Sequence, residues 1–263
     1  MHPNSSPMPR PMIPAALLLS VLPAVLAYAE PVRAHYRAYA AGLPVVAMDA
    51  DWDVQPGAYR VHLAFRTTGA LAVAYSGQSD SVSEGRFDAG RVLPRRYYSA
   101  GVLRGVQRVT QIDYPGRDPQ VRQLVPSNDE EREPVPPADQ AGTTDSLSAL
   151  ALLIRDVNAT GRCDGQVRTY DGRRLGELAA RTGPVQTLEP TSRSTYTGPA
   201  LRCDFEGRQL GGFVKDGDQA ALRRPQRGTA WFAAPAPGGQ QIPVRIEFQT
   251  RWAGAVTMYL AAP

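Results

Sequence analysis

A period of two runs through most of this chain. In Val46-Ala47-Met48-Asp49-Ala50-Asp51-Trp52-Asp53-Val54, apolar side chains alternate with aspartates. That spacing puts one set on a buried strand face and the other in water. Gln55-Pro56-Gly57 supplies a turn, after which Tyr59, Val61, Leu63 and Phe65 alternate with Arg60, His62 and Arg66. The two runs read as an antiparallel hairpin. Runs of the same kind are expected at Leu71–Ser76, Arg96–Val102, Gln107–Tyr114, Gln120–Val125, Gln166–Tyr170, Leu175–Ala180, Leu201–Phe205 and Ala230–Ala233. The last two are Pro243–Gln249, with Val244, Ile246 and Phe248 on one face, and Val256–Leu260, with Val256, Met258 and Leu260 on one face.

Two segments depart from this pattern. Residues 127–144 carry Asp129, Glu130, Glu131 and Glu133 beside Pro134, Pro136 and Pro137, with few apolar groups. Such a stretch buries too little surface to offset its ordering entropy, so it is expected as a mobile acidic, proline-rich surface loop. A helix follows it, capped by Thr144 or Asp145, with Leu147, Leu150, Ala151, Ile154 and Val157 on one face. Asn158 to Gly161 ends it, and Leu152 and Leu153 widen the apolar face enough to predict burial. Many short strands and one helix imply a mainly β protein with a single strongly curved antiparallel sheet, open or nearly closed. Its inner face would carry Tyr59, Val61, Leu63, Phe65, Val244, Ile246 and Phe248, which face a ligand if the interior is hollow.

The first 29 residues read as an export signal. Arg10 precedes an apolar run from Ile13 to Leu26, and Ala27-Tyr28-Ala29 is a small-x-small cleavage pattern before Glu30. The run is shorter than the ~20 residues of a membrane helix. Residues 30–263 are therefore expected as one β-rich periplasmic domain with no transmembrane segment after cleavage. Without Arg10 the formal charge falls from +4 to +3. The basic pairs Arg95-Arg96, Arg173-Arg174 and Arg223-Arg224 are scattered, which argues against a nucleic-acid surface. Cys163 and Cys203 are the two cysteines, and an exported chain with an even count is expected to pair them. Closing that loop is worth about 4 kcal/mol at most.

Asp49, Asp51 and Asp53 match the opening of a calcium-binding loop, but its sixth position is Val54 and its twelfth Arg60, so the wet face of a strand accounts for them and no metal is expected. Past the signal only His35 and His62 remain, His35 near the expected new terminus, and neither sits in a catalytic motif. No nucleophile elbow, phosphate loop or zinc-protease motif is present, and no cofactor is expected. A carboxylate-pair glycosidase leaves no local signature and stays open. In Tyr97-Tyr98 and Trp231-Phe232, one ring of each pair should face the core and its neighbour the other side.

Several landmarks recur in a recognisable order. They are Gly90-Arg91-Val92-Leu93-Pro94-Arg95-Arg96-Tyr97, Asp145-Ser146-Leu147-Ser148-Ala149-Leu150, Tyr170-Asp171-Gly172-Arg173-Arg174, Trp231-Phe232, Ile242-Pro243-Val244-Arg245-Ile246 and a closing Gly254-x-Val256. In order and spacing they resemble an uncharacterised family of exported proteobacterial proteins, the domain of unknown function 3108. The resemblance implies a periplasmic β-rich domain and brings no catalytic residues. The leading expectation is a non-catalytic protein that binds a lipid or other apolar or amphipathic envelope component inside the sheet. The alternatives are a structural or interaction protein with a solid core, and a carboxylate-dependent hydrolase.

Overall fold

The computed structural model describes Met1 and residues 30–128, 131–250 and 254–262. The expected export signal lies outside the described residues. A first run of strands comprises β1 (Val32–Ala40), β2 (Leu43–Val54), β3 (Ala58–Thr67), a short helix α1 (Gly69–Ala74), β4 (Gly77–Asp88), β5 (Arg91–Leu103), β6 (Val106–Asp113) and β7 (Gln120–Val125). Helices α2 (Pro137–Gln140) and α3 (Ser146–Thr160) follow. The second run is β8 (Gly165–Tyr170), β9 (Leu175–Leu188), β10 (Gly198–Gly211), a short α4 (Gln219–Arg223), β11 (Gln226–Ala233), β12 (Ile242–Thr250) and β13 (Gly254–Ala261). The protein is mainly β, and the thirteen strands form one antiparallel sheet that does not close. Within each run every strand pairs with its sequence neighbour, and β1 pairs with β13 to join the runs. The edges are therefore β7 and β8. No helix among the described residues is long and apolar enough to cross a membrane.

The junction strand β1 is one that hydropathy alone does not announce. Its inner face carries Ala34, Tyr36, Ala38 and Ala40, all buried, so three of its four core positions are alanine. His35, expected near a loose terminus, instead sits within this strand, its Nδ1 2.6 Å from Asp49 on β2. Strand β4 was hidden for a related reason. Its inner positions are Ser79, Ser81, Ser83 and Gly85, which lie opposite Phe65, Leu63, Val61 and Tyr59. Residues 71–76, expected as a strand, largely form α1. Alanines at 70, 72 and 74 favour helix over strand, and the Tyr75 N–H closes on the Leu71 carbonyl at 2.7 Å.

Helix α3 packs inside the curve. It packs on β2, β3, β4, β5 and β8, burying Leu147, Ala151, Ile154 and Val157. Gly161 ends it in the left-handed region at φ 67°. At its start Asp145, fully buried, accepts the Ser148 N–H at 2.9 Å. Its Oδ2 accepts the Ser148 hydroxyl at 2.5 Å and the Ser83 hydroxyl at 3.0 Å. The Tyr59 hydroxyl lies 2.5 Å from Ser148 Oγ; because the Ser148 proton is committed to Asp145, Tyr59 is the donor. This cap ties α3 to β3 and β4 as well as satisfying its first turn.

The acidic segment expected as a mobile loop is held at several points. The Glu133 N–H donates to the Phe213 carbonyl at 2.9 Å, and Arg132 Nη1 donates to the Gly212 carbonyl at 2.8 Å. Val135 is buried with Tyr170 and Leu175. Thr144 pairs in parallel with β8: its N–H donates to the Arg168 carbonyl and its carbonyl accepts from Tyr170 N–H. Arg173, 8% exposed, reaches across to the other edge, donating to the Val125 and Pro126 carbonyls, each at 2.8 Å.

Replacing Asp145 by Ala strands the Ser148 N–H and two hydroxyls in the core. It should lower stability by about 2 kcal/mol, read by chemical denaturation. On the wet face, His62 lies between Asp51 (3.1 Å) and Asp80 (2.8 Å). The hydrogen bond to Asp80, more than its burial, holds its pKa above the usual imidazole value. The resulting stabilisation is fully present below about pH 6.5 and disappears as pH rises through the folded pKa. The stability gap between wild type and His62→Gln should therefore shrink by about 1 kcal/mol or less from pH 6 to 9. A gap independent of pH would show that the imidazolium is not held by these carboxylates.

Candidate functional site

The inner face takes its residues from distant strands. Tyr59 and Val61 on β3 and Val244 on β12 are 4%, 0% and 0% exposed, in one apolar cluster with Leu147, Ile154 and Val157 of α3. Leu63 and Ile246 are partly buried against that cluster. Phe248 packs with Ala38, Ala40 and Val256 in a smaller cluster, and Phe65 is 38% exposed. The seven positions predicted for the inner face thus run from a packed centre to a half-open end. Cys163, just beyond α3, and Cys203 on β10 lie within disulfide distance, with Cα atoms 6.2 Å apart and both side chains buried.

Buried hydroxyls surround the start of α3. Burial pushes the Tyr97 phenol up to about 12 and raises those of Tyr59 and Tyr114 further. It also raises the Asp145 carboxyl, against the pull of its hydrogen bonds to Ser148 and Ser83. Asp145 and Tyr59 are committed to docking the helix, whereas the buried Tyr114 hydroxyl has no hydrogen-bond partner. On the wet face the aspartates of the D-x-D-x-D run have separate partners: Asp49 pairs with His35, Asp51 with His62, and Asp53 accepts from Gln55 Nε2 at 2.8 Å. Among the described residues no group of three or more His, Cys, Asp or Glu is placed to hold a metal ion.

The opposite face of β8–β13 bears a groove of about 870 Å³. Alternation puts Glu177 and Arg181 of β9, Asp204, Glu206 and Arg208 of β10, Arg227 and Thr229 of β11, Glu247 of β12 and Thr257 of β13 around it. Glu206 accepts from Arg208 Nε at 2.6 Å and Arg227 Nε at 2.8 Å, and these two bonds hold its carboxyl below the usual range. Asp204 Oδ1 accepts from Arg202 and, at 2.7 Å, from the Thr229 hydroxyl. Arg245 donates to Glu247. Gly228 leaves room on the inner side for the Phe205 ring; a Cβ there would lie 2.3 Å from Phe205 Cζ.

Of Trp231-Phe232, Phe232 faces the core as expected, and Trp231 takes the outer side. Even so, Trp231 is only 8% exposed, because Arg245 lies over its ring and its Nε1 donates to Gln186 at 2.8 Å. Tyr98, the outward member of the other pair, is 36% exposed. Of the positions expected from the sequence to face a ligand, only Phe248 borders this groove; its charged residues carry no distinctive sequence signal. Their only signal is charged or polar residues at alternate positions of separate strands, as in Asp204, Glu206 and Arg208, which is also what any wet face shows.

No curated protein matches the chain. Among solved structures it is similar to a β-barrel-like protein of domain of unknown function DUF1849 from Brucella abortus. The two share 11% identity over 88% of this chain and 95% of that one, with a TM-score of 0.50, a likeness of fold alone. The profile of the family described as Protein of unknown function (DUF3108) matches residues 34–261. The chain belongs to that family.

Proposed function

We propose that this is an exported, non-catalytic protein of the cell envelope with a filled interior, which meets its partner through its outer face. The observation that carries the reading is the burial of Tyr59, Val61 and Val244 among the side chains of α3, where an internal ligand would otherwise lie. Export is supported by the leader-like residues before Glu30 and by two cysteines at bonding distance. The buried carboxylate Asp145 is spent on capping α3, so it is not the acid of a catalytic pair. Charged groups such as Asp49, Arg60 and Glu84 on the wet face suit water, not the apolar outer band of a membrane barrel.

A second reading keeps an apolar ligand, placed against Leu63, Phe65, Ile246 and Phe248, because that end of the inner face is only partly covered. Native mass spectrometry of the protein purified from its own envelope separates the two. The filled-interior reading expects the bare polypeptide mass beginning at Glu30. A retained lipid would overturn it in favour of the second.

Truncation at the two ends of the inner face gives an independent check. Val61→Ala should cost about 2 kcal/mol, since its methyl groups are fully enclosed. Phe65→Ala should cost less than about 1 kcal/mol. Equal costs at both positions would mean that the interior is not packed at Val61 as described.

A further inference from the structure

We propose that the groove across β8–β13 binds a neutral, polyhydroxylated ligand, an envelope glycan. The proposal rests on the reading that the protein works through its outer face. Strand register sets Arg181, Asp204, Thr229, Glu247 and Thr257 in one line across five strands. Tyr39 of β1 continues it opposite Thr257. At ~4.8 Å per strand the line is ~24 Å long, suited to an extended chain lying across the strands. The volume of about 870 Å³ lies in the range of ligand sites.

Charge decides the ligand class. Glu206 is already engaged by Arg208 and Arg227, Asp204 by Arg202 and Thr229, and Glu247 by Arg245. A polyanion would meet these carboxylates and a polycation would meet the guanidiniums. An apolar ligand would strip water from the ion pairs and return no hydrogen bond. A hydroxyl both donates and accepts, so a sugar bonds to fixed carboxylates, guanidiniums and threonines without breaking the pairs. Tyr39 and Tyr259, in edge contact at 5.9 Å and half-buried, border Thr257; Arg193 lies over the Tyr39 ring and Arg245 over the Tyr259 ring, so the pair bounds one end of the line.

The test titrates the purified protein with the neutral chitotetraose, cellotetraose and maltotetraose, and with the polyanion dextran sulfate, following backbone amide shifts by NMR. At least one neutral probe should saturate, with the largest shifts at Thr229, Glu247 and Thr257. Thr229→Trp and Thr257→Trp each fill the groove and should weaken binding at least tenfold with thermal unfolding unchanged. Either variant alone suffices if the other fails to fold. Arg66→Ser, far from the groove on β3, should leave binding intact. The proposal is overturned if no probe binds, if binding survives both tryptophans, or if only dextran sulfate binds there. A lipid found in the native mass spectrum would defeat the filled-interior reading and leave this titration unaffected. Lipid-free protein that binds no glycan would defeat the groove proposal alone.

Discussion

The fold depends on a carboxylate buried where water cannot reach it. Asp145 has no exposed surface, and a charge in such a place is tolerable only with its hydrogen bonds complete. It completes them with one backbone N–H and two hydroxyls, and those hydroxyls belong to α3 and to β4. The same bonds that cap the helix therefore fix its depth and direction inside the sheet. They also account for serine at an inner position of β4, where an apolar residue would have left the carboxylate short of a donor. The polar stripe continues from Ser81 to Ser99, whose hydroxyls are 2.8 Å apart, beside the buried ring of Tyr97.

With α3 inside, the sheet has to wrap, and wrapping brings its edges together without joining them. Unpaired edge groups invite association with other chains. Here the segment that connects the edges, together with the turn between β8 and β9, covers part of the need. Thr144 supplies backbone bonds to β8, and Arg173 supplies side-chain bonds to the carbonyls at the end of β7. The acidic, proline-rich stretch is thus a seam, anchored where it passes Gly212 and Phe213. Its composition gives it little to bury, and its order comes from the backbone groups of neighbouring elements.

The outer face is polar. Across β10–β12 that face carries paired charges whose partners come from neighbouring strands or from two residues along the same strand, as with Glu206 and Arg227 or Arg245 and Glu247. Exposed pairs of this kind contribute little to stability. What they do is hold several polar groups at set spacings along the groove.

The sequence by itself determined the strand character, the turns, the helix α3 and the face assignment of Tyr59, Val61 and Val244, because alternation and helical spacing are local properties. It did not reveal β1 or β4, whose inner positions are alanine and serine and so lack hydropathic contrast. It misread residues 71–76, where six residues are too few to separate one helical turn from a strand. Only the tertiary structure decided that β1 meets β13, that α3 packs inside the curve against β2–β5 and β8, and that charges from four strands gather into one groove. Each of these joins residues far apart in the chain. Such contacts follow from sheet register and curvature, which depend on every strand at once and leave no mark in any short stretch of sequence.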